Sequence, residues 1–159
     1  MLVKGKYTYE DAKKLFTKYN FDLVPVVDDK GDKQKVLIEL LESQQSEIGA
    51  IEANGDDTKS GIIFTPHING ALGCFPISQM LSKHFDSDIR FFSGDKPKKL
   101  NISEEEFKIH KKTVQDEFKE NKYALLAATK AFGMGINKGN IYYTIHYGIP
   151  GSIEALYQE

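Results

Sequence analysis

The stretch ALLAATKAFGMGINKGNIYYTIH, residues 124–146, constrains the fold more than any other part of the chain. An apolar strand over Ala124–Ala128 runs into a loop that holds Thr129, Gly133, Gly135 and Asn137. A second strand, over Ile141–His146, follows at once. Two such strands need a sheet to bury them. The loop between them sets a hydroxyl, two flexible backbone positions and an amide at a strand's end. Open α/β sheets bind phosphate-bearing ligands at that edge.

The rest of the chain repeats the alternation. SGIIFT, from Ser60 to Thr65, is a short apolar run stopped by Pro66, and it predicts a buried strand. A helix is expected near Phe75–Phe85, with Pro76 in its first turn and Ile77, Met80, Leu81 and Phe85 on its inner stripe. Ile89–Phe92 is the next strand, and Ser93–Leu100 a loop. Ser103 with Glu106 forms a capping box opening a helix to about Lys119, and Glu104, Glu105 and Glu106 suit the positive end of its dipole. Upstream, Thr8 can cap a helix over Tyr9–Tyr19, and Asp22–Val27 reads as a strand ended by the turn cluster Asp28, Asp29, Lys30 and Gly31. Asp32 can cap a helix through Glu42, with residues 43–60 mainly loop. A last helix is expected from Ser152. Strands alternating with helices predict a parallel sheet with right-handed crossovers. The chain stops inside that last helix, as an excised piece of a longer protein would.

Length and composition narrow the class. The 159 residues suffice for one domain with a real core, and 40% hydrophobic with 28% charged residues is ordinary for a soluble globular protein. Apolar runs are far too short for a membrane helix, and the N-terminus lacks the apolar core of a secretory signal. Cys74 is the only cysteine, which excludes an internal disulfide and a cysteine-rich zinc site and suggests a reducing, cytoplasmic setting, a bacterial cytoplasm or nucleoid. The four histidines, His67, His84, His110 and His146, lack close metal-ligand spacing, so no metal site is expected. The net charge of −2 counts against an independent nucleic-acid binder, though less against a share in a groove between two lobes. Arg90 is the only arginine, so bidentate arginine contacts to phosphate are nearly absent.

Residues 124–159 also carry a family resemblance. The run resembles motif V of superfamily-two helicases in the form used by RecQ-type DNA helicases. It continues through Ile145, His146, Tyr147, Pro150, Ser152, Ile153 and Glu154 to Tyr157, Gln158 and Glu159, where motif VI begins. A looser likeness reaches back to Asp32. The resemblance implies an α/β fold: a three-layer RecA-like domain with a mainly parallel central sheet, truncated at its C-terminus. Residues 32–159 would be the helicase C-terminal lobe, the second RecA-like lobe. Residues 1–31 would be a helix–strand segment outside the resemblance.

The same resemblance implies site residues. Around motif V, Thr129 and Lys130 would lie toward DNA, and Gly133, Gly135 and Asn137, with Gln158 from motif VI, toward ATP in the cleft between lobes. Gly139 stands where related sequences usually have proline, which should soften the exit from the loop. The strand and polar loop at Ile62–Asn69 resemble motif IV, making Thr65, His67 and Asn69 candidate backbone contacts. His67 alone is as well read as a surface or structural histidine. Ser93, Gly94 and Lys96 follow a strand as a DNA-approaching loop of the family does, with Ser93 where a histidine is common. The lysines Lys96, Lys98 and Lys99 could meet phosphates or belong to a solvated loop, and both readings stand.

No catalytic group is expected in this chain. It has no G-x-x-x-x-G-K-[ST] phosphate loop and no Asp-Glu pair at a strand end, and Asp116-Glu117 falls mid-helix. The motif VI arginines are absent from the sequence too. The expectation is the second motor lobe of an ATP-dependent DNA helicase, inactive alone. Its parent would use ATP and Mg²⁺, with none bound to this piece. Its partners would be single-stranded or forked DNA and a first RecA-like lobe, with no membrane. A second class stays open: residues 7–31, with Pro25-Val26-Val27-Asp28 and a Gly turn, weakly resemble half of a CBS-like module that binds adenine nucleotides.

Overall fold

The structure is a computed structural model, and it describes residues 30–132 and 136–148, together with Lys14. The chain divides into two compact units, Met1–Leu40 and Leu41–Glu159. Helix α1, Lys30–Ile48, runs across the division. It begins two residues before the expected cap at Asp32, so Lys30 and Gly31 are helical rather than part of a turn. It also extends six residues past Glu42, through SQQSEI, because glutamine and glutamate are good helix formers and nothing in that run breaks a helix. The expected boundary between residues 31 and 32 therefore falls in its first turn. Apart from Lys14, the residues of the helix and strand expected over Tyr9–Val27 lie outside the described ones, as do those of the helix from Ser152.

The second unit holds a four-stranded sheet in the order β2-β3-β1-β4, formed by β1 (Ser60–Phe64), β2 (Ile89–Phe92), β3 (Leu125–Ala128) and β4 (Ile141–His146). Every pairing is parallel. The sequence explains the order. SGIIF and LLAA are apolar without alternation, and both strands are buried along their whole length, as central parallel strands must be. IYYTIH carries Tyr142 and Thr144 on one face, and both are exposed on an edge strand.

Helix α2 (Cys74–Phe85) connects β1 to β2, and α3 (Glu104–Lys119) connects β2 to β3. The first connection moves outward across the sheet and the second moves back. Right-handed crossovers in opposite directions put their helices on opposite faces, giving three layers. On the α3 face, Val114 and Phe118 pack with Ile62, Phe64, Leu126, Ala128, Tyr123 and Phe132. Each valine, leucine, isoleucine and phenylalanine among them contributes about 1.5–3 kcal/mol on full burial. The α3 cap forms as expected: Ser103 N–H donates to Glu106 Oε2 at 2.7 Å, and Glu106 N–H donates to Ser103 Oγ at 3.1 Å. The single arginine lies inside this framework. Arg90 donates to Asp88 and Glu117 and stacks 4.6 Å from the Tyr123 ring centre.

Candidate nucleic-acid interface

Parallel strands end on the same side, so β1, β2, β3 and β4 deliver their following loops to one edge of the sheet. Backbone hydrogen bonds close that edge. Thr129 N–H donates to Phe92 O at 3.1 Å, Thr65 N–H to Ala128 O at 2.8 Å, and Tyr147 N–H to Phe64 O at 2.8 Å. These bonds extend the ladder one residue beyond the strands and fix where each loop departs. The candidate residues Thr65, His67, Asn69, Ser93, Lys96, Thr129 and Lys130 thus gather at one edge, although they span 66 positions of sequence.

They do not all face outward. Thr65 is 3% exposed, and its hydroxyl donates to His67 O at 2.9 Å. Ser93 is fully buried, and its hydroxyl donates to Asp95 O at 2.7 Å. Both hydroxyls bond two residues ahead along the backbone, which is how Ser and Thr hydroxyls shape turns. Lys96 is also engaged within its own loop. Its ammonium donates to Ile102 O at 2.7 Å and lies 3.9 Å from Glu104, so it braces its own loop.

The loop after β1 folds back on the start of α2. Cys74 N–H donates to His67 O at 2.9 Å, and Phe75 N–H donates to Ile68 O at 3.2 Å. The next residue, Pro76, has no N–H. The first helical donors, which in many α/β folds point at a phosphate, are already taken here by the preceding loop. Gly73 makes this possible: a Cβ there would sit 2.5 Å from Ile68 O. Gly70 turns the same loop with φ of +77°. Cys74 is fully buried beneath the loop, and burial pushes its thiol up to about 11, which makes it a packing residue and not a nucleophile.

What remains exposed at the edge is His67, Lys98, Lys99 and Lys130, with Asp95 beside them. Asn69 and Thr129 are half-buried. Asn69 Oδ1 accepts from the backbone N–H of Lys98 at 3.0 Å, joining the loop after β1 to the loop after β2. Lys111, from α3, donates to Gly94 O at 2.8 Å and holds the second loop from its other side. Lys130 opens a short 3₁₀ turn, Lys130–Phe132, whose Phe132 is buried in the core. Asn137 is exposed. Gly133, Gly135 and Gln158 lie outside the described residues. The chain leading into β4 is tied down at Gly139: Lys138 and Asn140 both donate to Asn121 Oδ1, and Asn140 donates to Thr58 O at 2.7 Å.

An open pocket of about 500 Å³ lies at the other end of the strands, lined by Glu52, Asp56, Asp57, Lys59 and Tyr142 among others. Three carboxylates against one ammonium give it the wrong sign for a phosphate chain, and it shares no residue with the candidate edge. Among the described residues no helix is long and apolar enough to cross a membrane, and no group of three or more metal-ligating side chains gathers.

Residues 32–159 match the helicase conserved C-terminal domain. The chain belongs to that family. It is 40% identical over 52 residues to the ATP-dependent DNA helicase hus2/rqh1 of Schizosaccharomyces pombe, covering 33% of this chain and 4% of that protein. It is 48% identical over 46 residues to the ATP-dependent DNA helicase RecQ of Haemophilus influenzae, covering 29% of this chain and 7% of that protein. The matched segments are thus a small part of either relative's length. Among solved structures, a DEAD-box helicase domain 2 bound to an RNA duplex superposes with a TM-score of 0.58 at 17% identity, over 83% of this chain and 44% of that one. The likeness to RecQ-type helicases stands on the sequence matches, and the RecA-like α/β fold on the structural one.

Proposed function

We propose that this helicase C-terminal domain is the second motor lobe of an ATP-dependent DNA helicase, gripping the sugar-phosphate backbone at the C-terminal edge of its sheet. One observation carries this: four parallel strands bring His67, Lys98, Lys99 and Lys130 to one braced edge, exposed, while the neighbouring hydroxyls are turned inward. Lysines on a fixed backbone suit a uniform chain of phosphates, and they read no sequence. In this proposal a first RecA-like lobe supplies the phosphate loop and the Mg²⁺-binding carboxylates. The same proposal assigns Asn137, Gly133, Gly135 and Gln158 to the nucleotide site. Closing of the two lobes on ATP, and opening after hydrolysis, moves the grip along single-stranded DNA.

The test is a titration of the complete protein with a fluorescent single-stranded oligonucleotide across a series of salt concentrations. Lys130→Ala is expected to weaken binding uniformly across sequences and to reduce the slope of log K against log salt by about 1. Unchanged affinity and slope in both Lys130→Ala and His67→Ala would remove this edge from the nucleic-acid path. Nothing favours the CBS-like module. The residues that suggested it lie almost entirely outside the described ones, and Lys30 and Gly31, its expected turn, are helical.

A further inference from the structure

The link from Asn69 to Lys98 has a consequence for how the edge would work. Asn69 is one of the candidate contacts, and its Oδ1 accepts from the Lys98 backbone N–H, 29 residues away in sequence. The other bonds to the loop after β2 come from within it and from α3, where Lys111 donates to Gly94 O. Lys96 anchors it to Ile102 O, and Pro97 is buried, with Leu100 N–H donating to Pro97 O at 3.1 Å. Lys98 and Lys99 then project from the segment with exposed side chains. A loop fixed in position keeps both charges within reach of one phosphate chain, and releasing it loses those contacts as well as the entropy advantage of a preformed site.

We infer that Asn69 is a positioning residue for nucleic-acid binding: by holding the Lys98 backbone it presents Lys98 and Lys99 together as a preformed pair of phosphate contacts. This rests on the proposed function and adds a division of labour within it. The loop after β1 does not compete with the loop after β2 for the nucleic acid. It carries the strut, and the loop after β2 carries the charge. The strut is built from a side chain in the stretch NGALG, whose two glycines let the loop fold back onto α2 and bring Asn69 alongside Lys98.

Salt dependence separates this role from a direct contact. An uncharged asparagine that touches a phosphate releases no counterion, so its loss weakens binding without altering the salt slope. An asparagine that acts through two lysines changes the slope when removed. In the complete protein, with a single-stranded oligonucleotide as probe, Asn69→Ala is expected to reduce the slope by about 1–2, approaching that of the Lys98→Ala/Lys99→Ala double variant. Added to that double variant, Asn69→Ala is expected to change neither affinity nor slope. The inference is overturned if Asn69→Ala keeps the parental slope, or if it lowers affinity by the same factor with and without the lysines. The second result would mean a direct contact or general damage to the loop. If the double variant itself keeps the parental slope and affinity, the loop after β2 does not meet phosphates and the inference is overturned, while the proposed function is decided separately by Lys130→Ala and His67→Ala.

Discussion

The two ends of the same four strands are built on different terms. At the C-terminal end, Thr65 and Ser93 turn their hydroxyls inward, the first N–H groups of α2 are capped by the preceding loop, and Asn69 joins one loop to the next. What this end offers to solvent is mainly ammonium groups on fixed backbone. At the N-terminal end, an open pocket is ringed by Glu52, Asp56 and Asp57. A net charge of −2 averages these ends and hides both. The difference teaches that internal satisfaction of polar groups is a way of choosing which groups remain for a partner. At the basic edge the short polar side chains are consumed in shaping the backbone, and the long cationic ones are left over.

The largest test of that contrast is Gly73→Ala. A Cβ at residue 73 would lie 2.5 Å from Ile68 O and 2.6 Å from the Asn69 carbonyl carbon, so backbone, not a swinging side chain, has to move. Displacing the loop from α2 is expected to cost about 1–3 kcal/mol of stability, as overpacking does. It should also lower nucleic-acid affinity, because Asn69 moves with the loop. Gly139→Ala is the matched control, since nothing lies within 4 Å of a Cβ there. Urea denaturation of both variants checks the pair, and equal losses would break the distinction between a loop that is braced and one that is not.

A smaller effect is expected from Thr65→Val. The change keeps the shape and removes only the hydroxyl that donates to His67 O. That carbonyl retains the Cys74 N–H as a partner, so the loss should be about 1 kcal/mol. The salt slope should stay at its parental value, because Thr65 is 3% exposed and supplies no charge. A changed slope would return Thr65 to the direct contacts and contradict its inward orientation.

Much of the fold was legible in the sequence for identifiable reasons. β2 and β4 fall at their expected ends because Ile89–Phe92 and Ile141–His146 are bounded by turn residues. The capping box of α3 was readable because it is a local pattern, four residues long. The extension of α1 to Ile48 was not, because SQQSEI is polar and its helicity depends on propensity rather than on an apolar stripe. The candidate edge was legible as a set of loops, since strand ends in a parallel sheet share a side. The direction in which each side chain points was not. Whether Ser93 faces solvent or Asp95 O is decided by a two-residue turn, and whether Asn69 is a contact or a strut by a partner 29 positions away. Periodicity carries no information about either.

The smallest expected effect sharpens the comparison from the other end. Asp56→Asn with Asp57→Asn removes two exposed carboxylates from the pocket at the N-terminal edge, in a 3₁₀ turn with no buried residue. Surface changes of this kind usually shift stability by no more than about 0.5 kcal/mol. Their influence on a phosphate chain at the opposite edge is set by screening. β1 spans five residues at roughly 3.3 Å each, so the two edges lie more than one Debye length of about 8 Å apart at physiological salt. Single-stranded oligonucleotide affinity should therefore stay within about twofold of the parent at that salt, while a gain at low salt is the signature of long-range repulsion relieved. A tenfold change at physiological salt would show that nucleic acid passes over the acidic end as well, and the division between the two ends of the strands would not hold.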